Sequence, residues 1–139
     1  EHIYKEISIV APYLELIEEF TLSELIDFHF AYRAPKKAVN IEDILAQLLL
    51  KKSLHKQIKY FSSGMKQRVR LALCFTTQSK IILLDEPTSN LDAQGTKWYK
   101  EAISQLNDQL VIIFSNVSEE YQGAKYMLNL DRGQTLEKI

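Results

Sequence analysis

Residues 59–87 read KYFSSGMKQRVRLALCFTTQSKIILLDEP and contain the two elements that set the class of fold. Two serines and a glycine stand directly before a run with helical periodicity, which predicts a helix from Ser63 to about Gln78 with Ser62 as its N-cap. The apolar run at 81–84, bounded by turn-forming residues, predicts a strand buried on both faces of a parallel sheet. A single predicted helix therefore separates the segment Ser62–Gly64 from the buried strand along the chain.

The start of this helix is suited to an anion. Ser63 and Gly64 leave the first backbone amides open, and these donors add to the positive end of the helix dipole. On its own, a serine in front of a helix is most often no more than a cap. The short distance along the chain to the next motif is what favours a phosphate site.

Two adjacent carboxylates follow the predicted strand. Ligands of open α/β sheets collect at the carboxyl ends of the strands, which is where Asp85 and Glu86 lie. Successive side chains at a strand end point in different directions, so Asp85 can hold Mg²⁺ through water while Glu86 polarises an attacking water beside a terminal phosphoryl group. The alternative is an acidic pair that merely ends a strand, and the pair alone does not separate the two.

The flanking sequence alternates between helices and strands. Before residue 59, the sequence predicts a strand at 5–11 that Pro12 ends, and a helix that starts at the capping box of Thr21 and Glu24 and runs to about Tyr32. It also predicts a helix at 41–52 that Asn40 caps. The apolar stripe of this helix consists of Ile41, Ile44, Leu45, Leu48 and Leu49. Those after residue 87 are a helix at about 93–108 capped by Asp92, a buried strand within LVIIFSN at 110–116 and a hairpin that turns at Arg132 and Gly133. The order is that of βαβ units, so we expect an α/β fold with a mostly parallel sheet.

Composition limits the classes of function. The formal net charge is −1, without the basic stripe that is expected of a nucleic acid binding protein. The one cysteine, Cys74, excludes a disulfide framework and lies in an apolar helical run, so we expect a small buried side chain and a reducing, cytoplasmic compartment. Apolar runs such as LVIIF and IILL are far shorter than the roughly 20 residues of a membrane span.

Taken in series, the motifs resemble those of a known family. YFSSGMKQR at 60–68 followed by IILLDEPTSNLD at 81–92 is similar, in order and spacing, to the signature, Walker B and D-loop motifs of ATP-binding cassette (ABC) ATPases. GMKQR is particularly similar to the signature of exporter-type cassettes. The resemblance extends back through ISIVAPYLELIEEFTLSELIDF at 7–28, which aligns with the Q-loop and the start of the helical subdomain, and forward to VIIFSN at 111–116. It covers nearly the whole chain.

This resemblance implies a role for each motif. The signature, Ser62–Met65, would meet the γ-phosphate of ATP held by a second ATP-binding protomer in a sandwich dimer. Asp85 would serve Mg²⁺ and Glu86 the attacking water, while the D-loop, Ser89–Asp92, would lie across the dimer interface. The cofactors would be ATP and Mg²⁺. The other partners would be transmembrane transporter subunits at the inner, cytoplasmic face of the cell membrane, and no nucleic acid is implied.

Two positions depart from the family pattern. Pro12 aligns with the Q-loop glutamine, which in the family reaches Mg²⁺ and communicates with the membrane subunit, and a proline has neither a donor nor a side-chain acceptor for this. Asn116 aligns with the switch histidine; its amide can hydrogen-bond a phosphate oxygen but cannot titrate near neutral pH. We therefore expect Asn116 at the catalytic centre and slower hydrolysis than in a relative that carries the histidine.

The 139 residues contain no P-loop. That motif needs glycines at fixed spacing followed by Gly-Lys, and none of the four glycines, at 64, 95, 123 and 133, precedes a lysine. The family places the P-loop before the Q-loop, so we expect it upstream of Glu1, and we expect this C-terminal piece of a P-loop NTPase core to be inactive alone. The missing strand would leave an unpaired sheet edge and exposed apolar surface, and with them self-association or rearranged packing.

The resemblance divides the chain into a core strand with the Q-loop-like segment at 1–12, a small helical subdomain at 13–62 and the ATPase core at 63–139. The leading hypothesis is the ATP-hydrolysing subunit of an ABC transporter, of the exporter type. Two alternatives stay open: a non-transport ABC ATPase such as a translation factor, and a degenerate cassette that binds nucleotide with little turnover. The retained Asp85 and Glu86 argue against complete loss of hydrolysis.

Overall fold

Three parallel strands form the main sheet, in the order β1 (Ile7–Val10), β2 (Ile81–Asp85) and β3 (Leu110–Phe114). Their register aligns Ile9, Leu83 and Ile112 across the sheet. The carboxyl ends of the strands meet at one end of the sheet, which is where ligands of such sheets bind. The prediction of an α/β fold with a parallel sheet is confirmed.

The computed structural model describes residues 3–37, 40–130 and 136–138. Its other elements are α1 (Ile3–Glu6), α2 (Leu22–Tyr32), α3 (Ile41–Gln47), α4 (Ser63–Thr76), α5 (Ala93–Ser104), β4 (Tyr126–Leu128) and β5 (Leu136–Lys138), with short 3₁₀ turns at Lys51–Ser53, Ile58–Tyr60 and Ser118–Glu120. β4 and β5 pair antiparallel, as predicted for the hairpin. The predicted turn at Arg132 and Gly133 lies outside the described residues.

One hydrophobic core joins α4 and α5 to a single face of the sheet. Ile82 and Leu84 of β2 and Tyr99 of α5 are fully buried. Between the two helices, the rings of Phe75 and Trp98 lie 5.6 Å apart. This packing holds the helix with the open start against the strand that carries the acidic pair.

The opposite face of the sheet is largely open. The exposed fractions of Ile9, Leu110, Ile112 and Phe114 are 54%, 59%, 39% and 51%. The predictions that the strand at 81–84 is buried on both faces and that β3 is buried are therefore wrong, because alternate side chains point to a face that the described residues leave open. The expected apolar surface is present, and no described strand pairs with the outer edge of β3. Self-association stays a prediction.

α3 ends earlier than the predicted helix at 41–52 because a C-terminal capping motif stops it. Leu49 has a φ of +57°, and its N–H donates to the Ala46 carbonyl at 3.1 Å. The Leu50 N–H donates to the Leu45 carbonyl at 2.7 Å, which completes a Schellman motif. The reversal exposes Leu49 and buries Leu50, so Leu49 does not belong to the predicted apolar stripe.

The helices α2, α4 and α5 begin where predicted, and two of them end early. Thr21 and Glu24 form both hydrogen bonds of the predicted capping box. α4 and α5 end two and four residues before the predicted 78 and 108. The strand predicted at 5–11 is limited to Ile7–Val10, since residues 3–6 are helical. Within the described part of the chain, none of the helices has the length and apolar character needed to cross a membrane.

Candidate functional site

The acidic pair lies at a sharp turn after β2. Asp85 is half-buried as the last residue of the strand, whereas Glu86 is exposed. Glu86 has a φ of +41°, a left-handed conformation that a residue with a Cβ rarely adopts. Its N–H donates to the Phe114 carbonyl at 3.0 Å, so the turn begins at a point fixed to β3. The two carboxylates therefore differ in exposure, with Glu86 open to solvent.

The start of α4 is an open helix N-terminus. The Ser62 hydroxyl accepts a hydrogen bond from the Met65 N–H at 3.2 Å, which is the predicted cap. Among the described residues, the structure shows no acceptor for the amides of Ser63 and Gly64. These backbone donors stand at the positive end of a helix of 14 residues, an arrangement suited to a phosphate oxygen.

Gly64 packs this helix start against the loop that follows the acidic pair. A Cβ at position 64 would lie 2.5 Å from the Asn90 backbone oxygen, so a side chain there would force the two segments apart. Asn90 has a φ of +62°, and the Ser89 N–H donates to the Glu86 carbonyl at 3.0 Å. The signature-like segment and the loop at 86–92 are therefore in contact within one chain.

An ion pair fastens the far end of the same loop. The Asp92 carboxylate caps α5 by accepting from the Gly95 N–H at 2.8 Å, and its other oxygen accepts from the Arg68 guanidinium. The Gly95 N–H and the Arg68 guanidinium hold the pKa of Asp92 below its usual range. Arg68 also donates to the Leu48 carbonyl at 3.1 Å, so it joins α4 to the end of α3 as well. Both oxygens of Asp92 are thus engaged within the chain.

Two buried side chains form hydrogen bonds with the loop at 86–92. Gln67 is 1% exposed and donates from Nε2 to the Pro87 carbonyl at 2.9 Å. Glu120 is 3% exposed, and its Oε1 accepts from the Thr88 N–H at 2.8 Å and from the Thr88 hydroxyl. Sequence reasoning missed both roles. Gln67 lies inside GMKQR, where the motif marks it, but no motif marks Glu120, whose partner is 32 residues away in the chain.

The two positions that depart from the family pattern each lie two residues beyond the end of a strand, Pro12 after β1 and Asn116 after β3. Asn116 is exposed, and the Ser115 hydroxyl beside it accepts from the Val117 N–H at 2.8 Å, which shapes the backbone around the asparagine. Pro12 is half-buried in the turn that follows β1. Together with the acidic pair after β2, the predicted positions from all three strands lie at the carboxyl end of the sheet.

The donor set at this end of the sheet fits Mg²⁺. Across residues 3–37, 40–130 and 136–138, no three His, Cys, Asp or Glu side chains group as a metal cage. Asp85 and Glu86 offer one or two carboxylates, and Mg²⁺ commonly takes few protein ligands and completes its shell with water and phosphate oxygens. Cys74 is no candidate ligand, since burial raises the pKa of its thiol to about 12, in agreement with the predicted core role.

Solved structures show that the fold is that of an ABC-type ATPase core, within the P-loop NTPases. The structure of an ATP-binding subunit of an ABC transporter matches with a TM-score of 0.79 at 18% identity, over 89% of this chain and 54% of that chain. An RNase-L inhibitor matches with a TM-score of 0.64 at 25% identity, over 78% of this chain and 21% of that chain. The predicted fold class is confirmed.

The family model described as ABC transporter matches residues 1–89, so the chain belongs to the ABC transporter family. It is 29% identical over 126 residues to the uncharacterized ABC transporter ATP-binding protein YcbN of Bacillus subtilis, covering 88% of this chain and 41% of that protein. It is 30% identical over 128 residues to the methionine import ATP-binding protein MetN 1 of Enterococcus faecalis, covering 90% of this chain and 36% of that protein. The chain therefore spans less than half the length of these relatives.

Replacing Gly64 by alanine should separate the start of α4 from the loop at 86–92, because the added methyl group would lie 2.5 Å from the Asn90 oxygen. Overpacking of this kind costs about 1–3 kcal/mol, and the free energy of unfolding measured in urea should fall by that amount. Ser63→Ala, at the exposed neighbouring position, is the control and should change it by less than about 0.5 kcal/mol. Unchanged stability of Gly64→Ala would contradict the close approach.

Glu120→Ala should destabilise the protein by about 1–3 kcal/mol, because the amide and the hydroxyl of Thr88 would lose their shared acceptor in a part-buried position. Glu120→Gln keeps an oxygen at Oε1 and should lose much less. The free energy of unfolding in urea measures both variants, and Glu119→Ala at the exposed adjacent position is the control. If Glu120→Ala were no less stable than Glu119→Ala, the support of the loop by Glu120 would be disproved.

Proposed function

We propose that this chain is part of the ATP-binding and ATP-hydrolysing subunit of an ABC transporter. The observation that carries the proposal is the contact of Gly64 with Asn90, which joins an open helix start to the loop that begins at Glu86. The similar proteins of known family are ATP-binding proteins of transporters, which supports the same function. ATP is the substrate of the proposed reaction and Mg²⁺ its cofactor.

The position of each site residue supports a distinct role. Ser62–Met65 bind the γ-phosphate of ATP through the free amides at the start of α4. Asp85 holds Mg²⁺, which when bound neutralises charge on the phosphate oxygens. Glu86, exposed at its strained turn, orients and polarises the attacking water, and Asn116 donates its amide to a phosphate oxygen.

A second ATP-binding protomer is the proposed partner for this surface, in a sandwich dimer. The loop Ser89–Asp92 meets that protomer, and Asp92 acts through its position because its carboxylate is occupied by the α5 cap and by Arg68. The ATP that the signature contacts is held by the P-loop of the other protomer. Since the 139 residues contain no such loop, we expect the chain alone to be inactive.

A transmembrane subunit is the second proposed partner, and it contacts an apolar groove of about 400 Å³. The proposed helical subdomain at 13–62 supplies most of the lining, which includes Leu16, Ile17, Phe28, His29, Tyr32 and Arg33. Phe28 and Tyr32 are exposed, so the groove presents aromatic surface that suits the apolar face of a short helix. In this arrangement the ATP-binding subunit lies at the cytoplasmic face of the membrane. Its helical subdomain contacts the transmembrane subunit, and residues 1–12 and 63–139 form its ATPase core.

Export is the proposed direction of transport. It is supported by the similarity of GMKQR at 64–68 to the signature of exporter-type cassettes. A non-transport ABC ATPase is the alternative, because one matched structure, at 25% identity, is that of an RNase-L inhibitor, a name that mentions no transporter. A degenerate cassette with little turnover is favoured by Pro12 and Asn116, and the next two experiments separate it from an active enzyme.

Glu86→Gln should abolish most ATP turnover by the full-length protein, because an amide cannot accept a proton from the attacking water. Loss of a general base commonly costs about 10²- to 10⁴-fold, and the rate is measured as phosphate release. Binding of ATP should be unchanged. Glu119→Gln, an exposed carboxylate outside the site, is the control. Equal rates for Glu86→Gln and the wild type would remove Glu86 from the mechanism.

Asn116→His should raise the ATP turnover of the full-length protein, because it supplies a group that both hydrogen-bonds phosphate and titrates near neutral pH. The rate gained by the variant should depend on pH around the imidazole pKa of about 6.5, whereas the wild type lacks this dependence. A pH profile of phosphate release for the two proteins makes the comparison. An unchanged or lower rate would count against the proposed position of Asn116 at the catalytic centre.

A further inference from the structure

Arg70 is a part-buried cation on α4 that the proposed chemistry does not use. Its Nε donates to the Leu14 carbonyl at 2.7 Å, and its Nη1 donates to the Gln67 Oε1 at 3.3 Å. Burial lowers the pKa of Arg70 from its ordinary value. Its guanidinium contacts these two neutral oxygens, and among the described residues it forms no ion pair with a carboxylate. Arg70 therefore links neighbouring segments through hydrogen bonds to neutral groups and does not act as half of an ion pair.

The donor and acceptor chemistry of the three residues fixes the direction of each hydrogen bond. Arginine only donates, so Gln67 must turn its oxygen toward Arg70. The amide nitrogen of Gln67 then faces the Pro87 carbonyl, to which it donates at 2.9 Å. Gln67 is 1% exposed, so water does not compete for either end of its side chain. The Leu14 carbonyl, Arg70, Gln67 and the Pro87 carbonyl therefore form one directed chain of hydrogen bonds.

The two ends of this chain are at functional places. The Leu14 N–H donates to the Ala11 carbonyl at 3.2 Å, which closes the turn after β1, and the residues that directly follow Leu14 line the apolar groove. Pro87 directly follows Glu86. We call residues 11–17, which form this turn and the adjoining wall of the groove, the groove rim. The hydrogen bonds therefore extend from the groove rim to Pro87, the residue after the proposed catalytic carboxylate.

Pro12 cannot make a side-chain hydrogen bond from the turn after β1 to the site. Pro12, at the start of this turn, has no N–H and no polar side-chain atom. The contact from this turn is instead made by the Leu14 carbonyl, which accepts a hydrogen bond from Arg70.

We propose that Arg70 is a positioning residue that couples the turn after β1 to the loop after Glu86, so that occupancy of the ATP site and the structure of the groove rim depend on each other. The proposal rests on the proposed function, since it needs nucleotide at this site. Linkage requires the dependence to act in both directions, so a nucleotide effect on the groove rim is a sufficient test.

The test uses the full-length protein and a nonhydrolysable ATP analogue with Mg²⁺. Amide hydrogen exchange is measured for peptides that span residues 11–17, with and without the analogue, and kcat and KM for ATP are measured in parallel. Arg70→Met keeps the length of the side chain and removes every donor. Lys97→Met makes the same chemical change at a side chain that is 78% exposed and serves as the matched control.

In the wild type and in Lys97→Met, the analogue should slow exchange at residues 11–17. Arg70→Met should lose this protection and lower kcat by about 3- to 30-fold, the range expected for a coupling contact, while KM for ATP changes by less than about twofold. Arg70→Lys keeps the charge but lacks the planar fork of donors that holds both acceptors, so it should be intermediate. Gln67→Glu keeps the contact with Arg70 but removes the donor to the Pro87 carbonyl, so it should lose the protection as well.

Protection in Arg70→Met equal to that of Lys97→Met would overturn the proposal, and so would a wild type that binds the analogue without any change at residues 11–17. A purely structural role would lower stability in Arg70→Met and leave the nucleotide-dependent protection in place, which again overturns it. Binding of the analogue by the wild type is measured separately. If the wild type does not bind it, the proposed function itself has failed, and the coupling falls with it.

Discussion

The close approach of Gly64 to the Asn90 backbone is the constraint on which the rest of the site depends. With only 2.5 Å available for a Cβ, backbone packs directly on backbone, and no side chain separates the start of α4 from the loop at 86–92. Two further contacts join the same helix and loop, from Arg68 to Asp92 and from Gln67 to the Pro87 carbonyl. The open amides and the acidic pair are therefore parts of one assembly.

The site separates exposed chemistry from buried support. Glu86 and Asn90 both have positive φ values, at +41° and +62°, and such conformations cost about 1–3 kcal/mol each. Buried hydrogen bonds to the same loop, from Gln67 and to Glu120, contribute about 0.5–1.5 kcal/mol each. The fully buried Tyr99 donates to the Glu120 carbonyl at 2.9 Å and so ties this support to the core. Core packing thus helps to hold Glu86 in a conformation that it would rarely adopt in a free chain.

Local signals predicted the parts of the fold that depend on local physics. The capping box at Thr21 and the cap at Ser62 formed as expected, because a side-chain oxygen and a nearby amide meet within one turn. The end of α3 was missed because Leu49 holds a left-handed position where a glycine would have marked it. The burial of β3 was predicted wrongly because an apolar run shows only that a strand is able to be buried. Whether its side chains are buried depends on which other elements pack against the strand.

The same distinction applies to the site. The motifs located the acidic pair and the helix start, since their spacing along the chain is short. Arg70 and Glu120 lie 56 and 32 residues from the partners they hold, so no short pattern could indicate them.

Phe114 connects the open face of the sheet to the site. Its side chain is 51% exposed on that face, while its carbonyl accepts the N–H of Glu86, and Asn116 follows it by two residues. An element that packs on this face gains about 25 cal/mol for each square ångström of apolar surface it buries, and in doing so it contacts the strand to which the turn at Glu86 is hydrogen-bonded. Covering the sheet and fixing the site are therefore energetically linked, because both act on β3. The stability of the sheet and the geometry of Glu86 must respond together to whatever covers this face.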